Sequence, residues 1–407
     1  MSVVVAQLGA RMHYAVPRIL ENCGQLSMLY TDLCAAKGAP QLLRLIPQAL
    51  RPRAVTKVLN RVPKGVSPRR ITAFNRFGLE YARRLAASTT SHQRDEAYLW
   101  AGREFGQNVL GKGFGEARMV YGFNSASSEI FAAAKKEGIH TVLEQTICPR
   151  YIEEDLLGEE RERFPDWGEG DSSGLAKEFA DRERSEWASA DTILCASEFV
   201  RDGVVACGGD PNKCKIVPYG VDHLDQAISH DRRGDRPLRV LTAGSVGLRK
   251  GTPYTLEAAK RLKGRVEFRI VGIHHASEPA ITELQNYVDA PGAVPRSEMI
   301  NQYQWADVYL LPSLCEGSAT STYEAMSHGL PIVCTPNTGS VVRNGIEGFV
   351  APIRSADAIV EALESLMNDP DLLESMSQAS AQRAKQFTLD GYSNNLREAL
   401  GLGEPDH

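Results

Sequence analysis

Apolar residues in this chain gather in short continuous runs separated by glycine turns and amphipathic stretches. The first run, Val3–Leu8, leads into Gly9-Ala10-Arg11 and then a helix-compatible stretch around Tyr14–Leu20. Far downstream Leu238–Ala243 repeats the arrangement, through Gly244-Ser245 and a basic turn, into a helix predicted from about Thr252 to Leu262. Strand, glycine turn, helix is the unit of parallel α/β sheets, whose strands are buried on both faces and so read as unbroken apolar runs. Further runs predict strands at Met119–Tyr121, Thr141–Leu143, Thr192–Cys195, Lys215–Val217, Glu267–Val271, Val308–Leu311 and Ile332–Cys334. Helical patterns such as Ser128–Glu137 and Ala356–Met367 lie between them. Two α/β domains meeting at a cleft follow from this alternation. The expected boundaries are 1–222 for the first domain, a polar linker over 223–236, and 237–385 for the second. A last helix within 386–407 is placed to pack back on the first domain.

Length and composition narrow the classes. A chain of 407 residues suits two cores of about 150–200 residues each. A formal charge of −5 gives no reason to expect a nucleic-acid partner. No apolar run approaches the roughly 18 residues of a membrane span, and Met1–Leu8 lacks the basic start of a signal peptide. The eight cysteines are scattered without a C-x-x-C pair, as in a cytoplasmic protein with reduced thiols. Cys207 and Cys214 with His274-His275 fit no zinc spacing. One segment breaks the rhythm. Residues 44–84, inside a predicted helical insertion at about 40–105, carry eleven Arg and Lys against the single acid Glu80, a local charge of +10 that leaves −15 for the rest. Leucines, isoleucine and valines interleave with these bases, so the segment suits an anionic membrane surface. A solvated insertion that neutralises Glu153–Glu162 is the plainer alternative, and prolines 47, 52, 63 and 68 cut any helix short.

The chemistry concentrates in the second half. Glu316-Gly317-Ser318-Ala319 follows a predicted strand, and Glu324 lies on the helix after it. Free N–H groups of Gly317, Ser318 and Ala319 at a helix start suit a phosphate. Two flanking carboxylates can accept hydrogen bonds from sugar hydroxyls on either side of it. Arg249-Lys250-Gly251-Thr252-Pro253 places Lys250 at another helix start, with Thr252 as cap and Pro253 in the first turn. A cation there stabilises a departing diphosphate as its charge grows.

These segments, with Gly9-Ala10-Arg11 and the crossing point Val217–Asp222, resemble family-4 retaining glycosyltransferases of the GT-B fold, which pair two Rossmann-like domains across a cleft. The resemblance spans nearly the whole chain and is weakest over 40–110. It implies transfer from a nucleotide-sugar donor to a glycan or lipid-linked acceptor, with retained anomeric configuration and no metal or other cofactor. The basic segment 44–84 adds the expected setting, polysaccharide or cell-envelope biosynthesis with a lipid-linked acceptor at the inner membrane face. Glu316 would contact the donor sugar and Glu324 the ribose. Lys250 would hold the diphosphate, helped by Arg249 and by the backbone of Gly317 and Ser318, with Ala319 following. Gly9 and Ala10 would let the facing domain approach, and Gly244 with Ser245 would border the phosphates. Gly272, Val294 and Arg296 would line the base pocket. In the first domain Ala196-Ser197-Glu198 matches a strand-to-helix segment, and His13 lies near the cleft.

The chain departs from its resemblance at two places. Ser245 stands where many relatives carry an arginine, and Arg249 is the candidate replacement. Many relatives also place a histidine after a first-domain strand, where this chain has Glu144-Gln145-Thr146, so that Gln145 takes the position. The only Asp-x-Asp, Asp369-Pro370-Asp371, reads as a helix cap and first turn. Gly111–Gly115 lacks the preceding strand of a phosphate loop. Three rival classes fit less well. A nucleotide-sugar epimerase would need acid and base groups that the sequence does not place. A dehydrogenase would need G-x-G-x-x-G after the first strand. A non-catalytic nucleotide- or glycan-binding module would have no use for Lys250, Glu316 and Glu324 together.

Overall fold

The computed structural model describes residues 1–36, 38–47, 50–168, 172–221 and 236–403. The linker expected at 223–236 therefore lies outside the described residues except for Arg236, as does Asp222. The first sheet contains β1 (Val3–Gln7), β2 (Leu26–Thr31), β3 (Ile71–Ala73), β4 (Met119–Phe123), β5 (His140–Gln145), β6 (Thr192–Cys195) and β7 (Cys214–Ile216). Its order is β3-β2-β1-β4-β5-β6-β7, and every pairing is parallel. The second contains β8 (Leu238–Ala243), β9 (Val266–Val271), β10 (Val288–Gly292), β11 (Val308–Leu311), β12 (Ile332–Cys334) and β13 (Gly348–Val350) in the order β10-β9-β8-β11-β12-β13, again parallel.

Each sheet is covered on both faces, because successive strand residues point to opposite sides. Val3 and Val5 enter one core with Leu20 and Tyr121, whereas Val4 and Ala6 enter the other with Phe105 and Phe131. Leu238 and Val240 divide from Leu241 and Ala243 in the same way. The C-terminal helix Leu389–Ala399 returns to the first domain, where Tyr392 and Leu396 are buried beside Val3 and Val5. Each such side chain contributes roughly 1.5–3 kcal/mol by burial. Both parallel orders reverse direction once, at β1/β4 and at β8/β11. Loops leaving adjacent strands in opposite directions open a crevice at such switch points, where α/β proteins bind ligands.

The segment expected as a helical insertion contributes a strand, since β3 pairs with β2. Ile71-Thr72-Ala73, with Ile71 buried and its two neighbours half-buried, is too short to stand out among the surrounding bases. Among the described residues, the ion pairs of this segment go to Glu21, Asp32 and Glu80, not to Glu153–Glu162. Its outer surface exposes Leu42, Leu45, Leu50 and Leu79.

Candidate functional site

The loop after β8 and the loop after β11 bring three charges together. Lys250 Nζ lies 2.6 Å and Arg249 Nη1 2.9 Å from the same oxygen, Glu316 Oε1. The turn makes this possible. Gly251 adopts φ +68°, and a Cβ there would come 2.1 Å from the Pro312 carbonyl, so only glycine lets the two loops close on each other. Gly251, not Thr252, caps the helix Thr252–Arg261. The Thr252 hydroxyl instead accepts the Gly247 N–H at 3.0 Å, tying the basic turn from within. Burial pulls the Lys250 ammonium below the ordinary lysine value, with Glu316 opposing that shift and Arg249 adding to it.

The Glu316–Ala319 loop reaches the facing domain. A Cβ on Gly317 would sit 1.9 Å from the Thr146 carbonyl, and the Gly317 carbonyl accepts the Ser197 hydroxyl at 2.6 Å. Cys148 N–H donates to the Glu316 carbonyl at 3.4 Å. Ser318 turns its hydroxyl inward to the Gly339 carbonyl at 2.9 Å, so its own contribution to a ligand is its backbone. The Ala319 N–H, expected to be free, donates to the Thr338 carbonyl at 3.2 Å, because the neighbouring turn Pro336–Thr338 packs against the helix start. Thr320–Ser327 then carries Glu324, which accepts from Tyr303 at 2.8 Å and from Arg296 at 3.2 Å. Gly272 lies against the Gly244 carbonyl, Val294 packs on the second core, and Ser245 lines a side cavity beside Lys250.

The first domain faces this with a wall around a cleft of about 780 Å³. Gln7, at the end of β1, donates to the carbonyls of Gly9 and Arg11, and Gly9 N–H donates to Asp32 at 3.1 Å. Met12, His13 and Tyr14 follow with φ of 44°, 50° and 62°, three successive left-handed residues of the kind held only where surroundings over-determine them. Arg11 is thereby aimed at Thr146, whose hydroxyl it meets at 2.6 Å, while that hydroxyl donates to Asn124 at 2.8 Å. His13 is exposed and Ala10 packs toward the core; neither lines the cleft as Gly9 and Arg11 do.

Gln145 does not take the position expected for it. It is fully buried, donates to Glu183 at 3.0 Å and accepts from Trp187 at 3.0 Å. The period-2 alternation of β5 is the reason: Glu144 and Gln145 point to opposite faces. Glu144 lines the cleft, holding the Tyr121 and Tyr219 hydroxyls at 2.5 and 3.0 Å. Burial raises its pKa, against the two tyrosine bonds and the charge of Arg11. Reading the sequence missed Arg11, Asn124, Thr146, Arg150 and Glu153, all of which line the cleft. The period-2 pattern of β5 was the signal available for Thr146 and the Gly9-Ala10-Arg11 turn the signal for Arg11; no local pattern marked a cleft role for Asn124, Arg150 or Glu153. Among the described residues no three of His, Cys, Asp and Glu are placed to hold a metal ion.

Two Rossmann-like domains whose switch points face each other across a cleft, one bearing a Lys-Arg-Glu cluster, define the GT-B architecture. Residues 237–369 match the family described as Glycosyl transferases group 1, and the two parallel sheets around them and before them have the GT-B fold. It is similar to the amylovoran biosynthesis glycosyltransferase AmsK of Erwinia amylovora, 26% identical over 53% of this chain and 57% of that protein. An Escherichia coli UDP-Gal:α-D-GlcNAc-diphosphoundecaprenol α-1,3-galactosyltransferase is 27% identical over 39% of this chain and 46% of its own length. The chain thus spans about half the length of the curated relatives it matches. The Anabaena protein HepE, solved with UDP and glucose, superposes over 98% of this chain and 99% of its own with a TM-score of 0.60 at 14% identity.

Proposed function

We propose that the chain is a retaining, metal-independent glycosyltransferase of family 4. It moves a sugar from a nucleotide-sugar donor to a glycan or lipid-linked acceptor in polysaccharide or cell-envelope biosynthesis. The observation that carries this reading is the convergence of Lys250 and Arg249 on one oxygen of Glu316, at the start of the loop that continues through Gly317 and Ser318. With Oε1 engaged by the cations, Oε2 remains for sugar hydroxyls. The two cations and the loop N–H groups then supply the charge stabilisation that a leaving diphosphate needs, without calling on a metal. In the transfer step the bond from the anomeric carbon to the phosphoryl oxygen breaks and the bond to the acceptor oxygen forms on the same face. The acceptor proton passes to the leaving phosphoryl oxygen.

Glu324, with Tyr303 and Arg296 beside it, suits the ribose end of the donor. The named substrates of the relatives, a diphosphoundecaprenol-linked sugar among them, support a lipid-linked acceptor. The exposed leucines at 42, 45, 50 and 79, set among arginines, support a peripheral site at an anionic inner membrane face. Among the described residues no helix is long and apolar enough to cross a membrane.

The test is nucleotide release from UDP-, GDP-, ADP- and dTDP-sugars in EDTA, with Lys250→Ala and Glu316→Ala in parallel. Slow hydrolysis of one donor, lost in both variants, is the expected result. No hydrolysis of any donor and no donor-dependent rise in Tm would instead make the chain a glycan-binding module.

A further inference from the structure

Among the ionisable groups of the cleft that the transfer chemistry does not use, Glu153 is the carboxylate that also reaches the cavity beside Lys250. Glu153 stands on the first-domain helix Arg150–Arg163, its side chain 14% exposed. It lines both the main cleft and a second cavity of about 230 Å³ whose far wall is Ser245 and the turn that carries Arg249 and Lys250. Arg150, on its own helix, holds it at 3.4 Å and holds Asp95, from the helix Ser91–Leu110, at 2.5 Å. Arg249 and Glu316 act on its charge from the second domain. Glu183, from the helix Ala176–Ser189, is coupled to it from the remaining side. Tyr98, Arg94, Glu154 and Arg161 complete the second cavity further out.

Leaving Glu183 aside, the inner cluster matches its cations and carboxylates. Arg150, Arg249 and Lys250 face Asp95, Glu153 and Glu316. A donor diphosphate adds two negative charges beside these largely buried groups, and the position that could have supplied a further cation is Ser245. Uncompensated charge in such a place is costly, and a titratable neighbour neutralises first. Two of the three carboxylates are firmly committed, Asp95 to Arg150 at 2.5 Å and Glu316 to Lys250 at 2.6 Å. Glu153 has the loosest ion pair of the three.

Resting on the glycosyltransferase reading, we propose that Glu153 takes up a proton as the donor diphosphate enters, giving up its ion pair with Arg150 and itself becoming a hydrogen-bond donor. Burial already raises the pKa of Glu153, with Arg150 and Arg249 opposing, and an arriving dianion moves it further the same way.

The experiment is calorimetric titration of the full chain with UDP-glucose, GDP-mannose, ADP-glucose and dTDP-glucose, in buffers of different ionisation enthalpy. These diphosphate diesters have no ionisation of their own in the neutral range, unlike free nucleoside diphosphates. For the donor that binds, the expected result is uptake approaching one proton near about pH 7.5, and affinity that weakens by up to about tenfold per pH unit above that. Glu153→Gln should abolish both the uptake and the pH dependence while retaining affinity near that of the parent at low pH. Ser245→Arg should reduce the uptake with Glu153 intact, which keeps the test independent of how well the glutamine variant folds. Measurable donor binding with no proton uptake overturns the proposal and leaves the glycosyltransferase reading standing. Uptake that persists undiminished in Glu153→Gln also overturns it, pointing to Glu183. If none of the four donors binds, both readings fall together.

Discussion

The two switch points of this molecule face the same cleft but are assembled differently. In the second domain the reactive groups sit directly after their strands: Lys250 on the turn after β8 and Glu316 on the loop after β11, their side chains meeting at 2.6 Å. In the first domain the corresponding wall draws Arg11 from the loop after β1, Asn124 from the loop after β4, Thr146 from the end of β5, and Arg150 and Glu153 from a helix beyond. A site built on the strand-turn-helix unit is written in neighbouring residues. A wall contributed one residue at a time is written in topology, and members of it are held by contacts distant in sequence, as Arg11 is held to Thr146 across 135 residues.

The sharpest way to break this comparison is to remove one cation from each side. Lys250→Ala should lower donor turnover by roughly 10²–10³-fold, the cost of losing a preorganised transition-state contact in a dry site. It also leaves Glu316 with Arg249 alone. Arg11→Ala removes an exposed side chain bonded to a hydroxyl, and its effect should stay near tenfold or below. Steady-state rates on the hydrolysed donor decide it. Equal losses would mean that the first-domain wall carries as much of the charge stabilisation as the second-domain turn.

The same contrast explains what could be read in advance. Both glycine turns, most strands and the placement of Glu316 and Glu324 follow from apolar runs punctuated by glycine, since a parallel strand must be apolar on both faces. Asp369 accepts the Leu372 N–H at 2.9 Å, as its place before Pro370 implied. Gln145 was misplaced because a position one residue along a strand changes face; counting from the apolar run did not fix which face looked at the cleft. β3 was hidden by the bases around it. The roles of Asn124, Arg150 and Glu153 depend on where helices and loops remote in sequence come to rest, and no local pattern records that.

Gln145 offers the next test, now of the corrected assignment. A residue buried between Trp187 and Glu183 holds structure, so Gln145→Leu should lower stability by about 1–3 kcal/mol by leaving the Trp187 N–H and one oxygen of Glu183 unpaired. The donor KM should be unchanged. Denaturant midpoints and kinetics on one preparation separate the effects. A raised KM with normal stability would return Gln145 to the donor site.

The smallest effect concerns Glu183 itself and is visible only as a slope. Burial raises its pKa to about 7, against hydrogen bonds from the Arg150 N–H and Gln145, while Glu186 and Glu153 push it upward. The unfolded chain returns it to an ordinary carboxyl near 4.5. Between those two values the folded state holds a proton that the unfolded state has lost. Its contribution is therefore fully present below about pH 4.5 and lost as the pH rises through about 7, a change of at most about 3 kcal/mol. Glutamine is neutral throughout and cannot lose it. Glu183→Gln should accordingly be the less stable protein near pH 4.5, where it replaces a hydrogen-bonded acid by an amide that serves Gln145 poorly. The gap should narrow or reverse by about pH 8. Glu186, raised to about 7 mainly by burial, stays in both proteins, so the variant keeps part of the parent's slope. Tm measured at intervals across this range gives the difference directly. A gap that does not change with pH would mean that Glu183 is ionised throughout, its charge held by Arg150 more firmly than its burial opposes it.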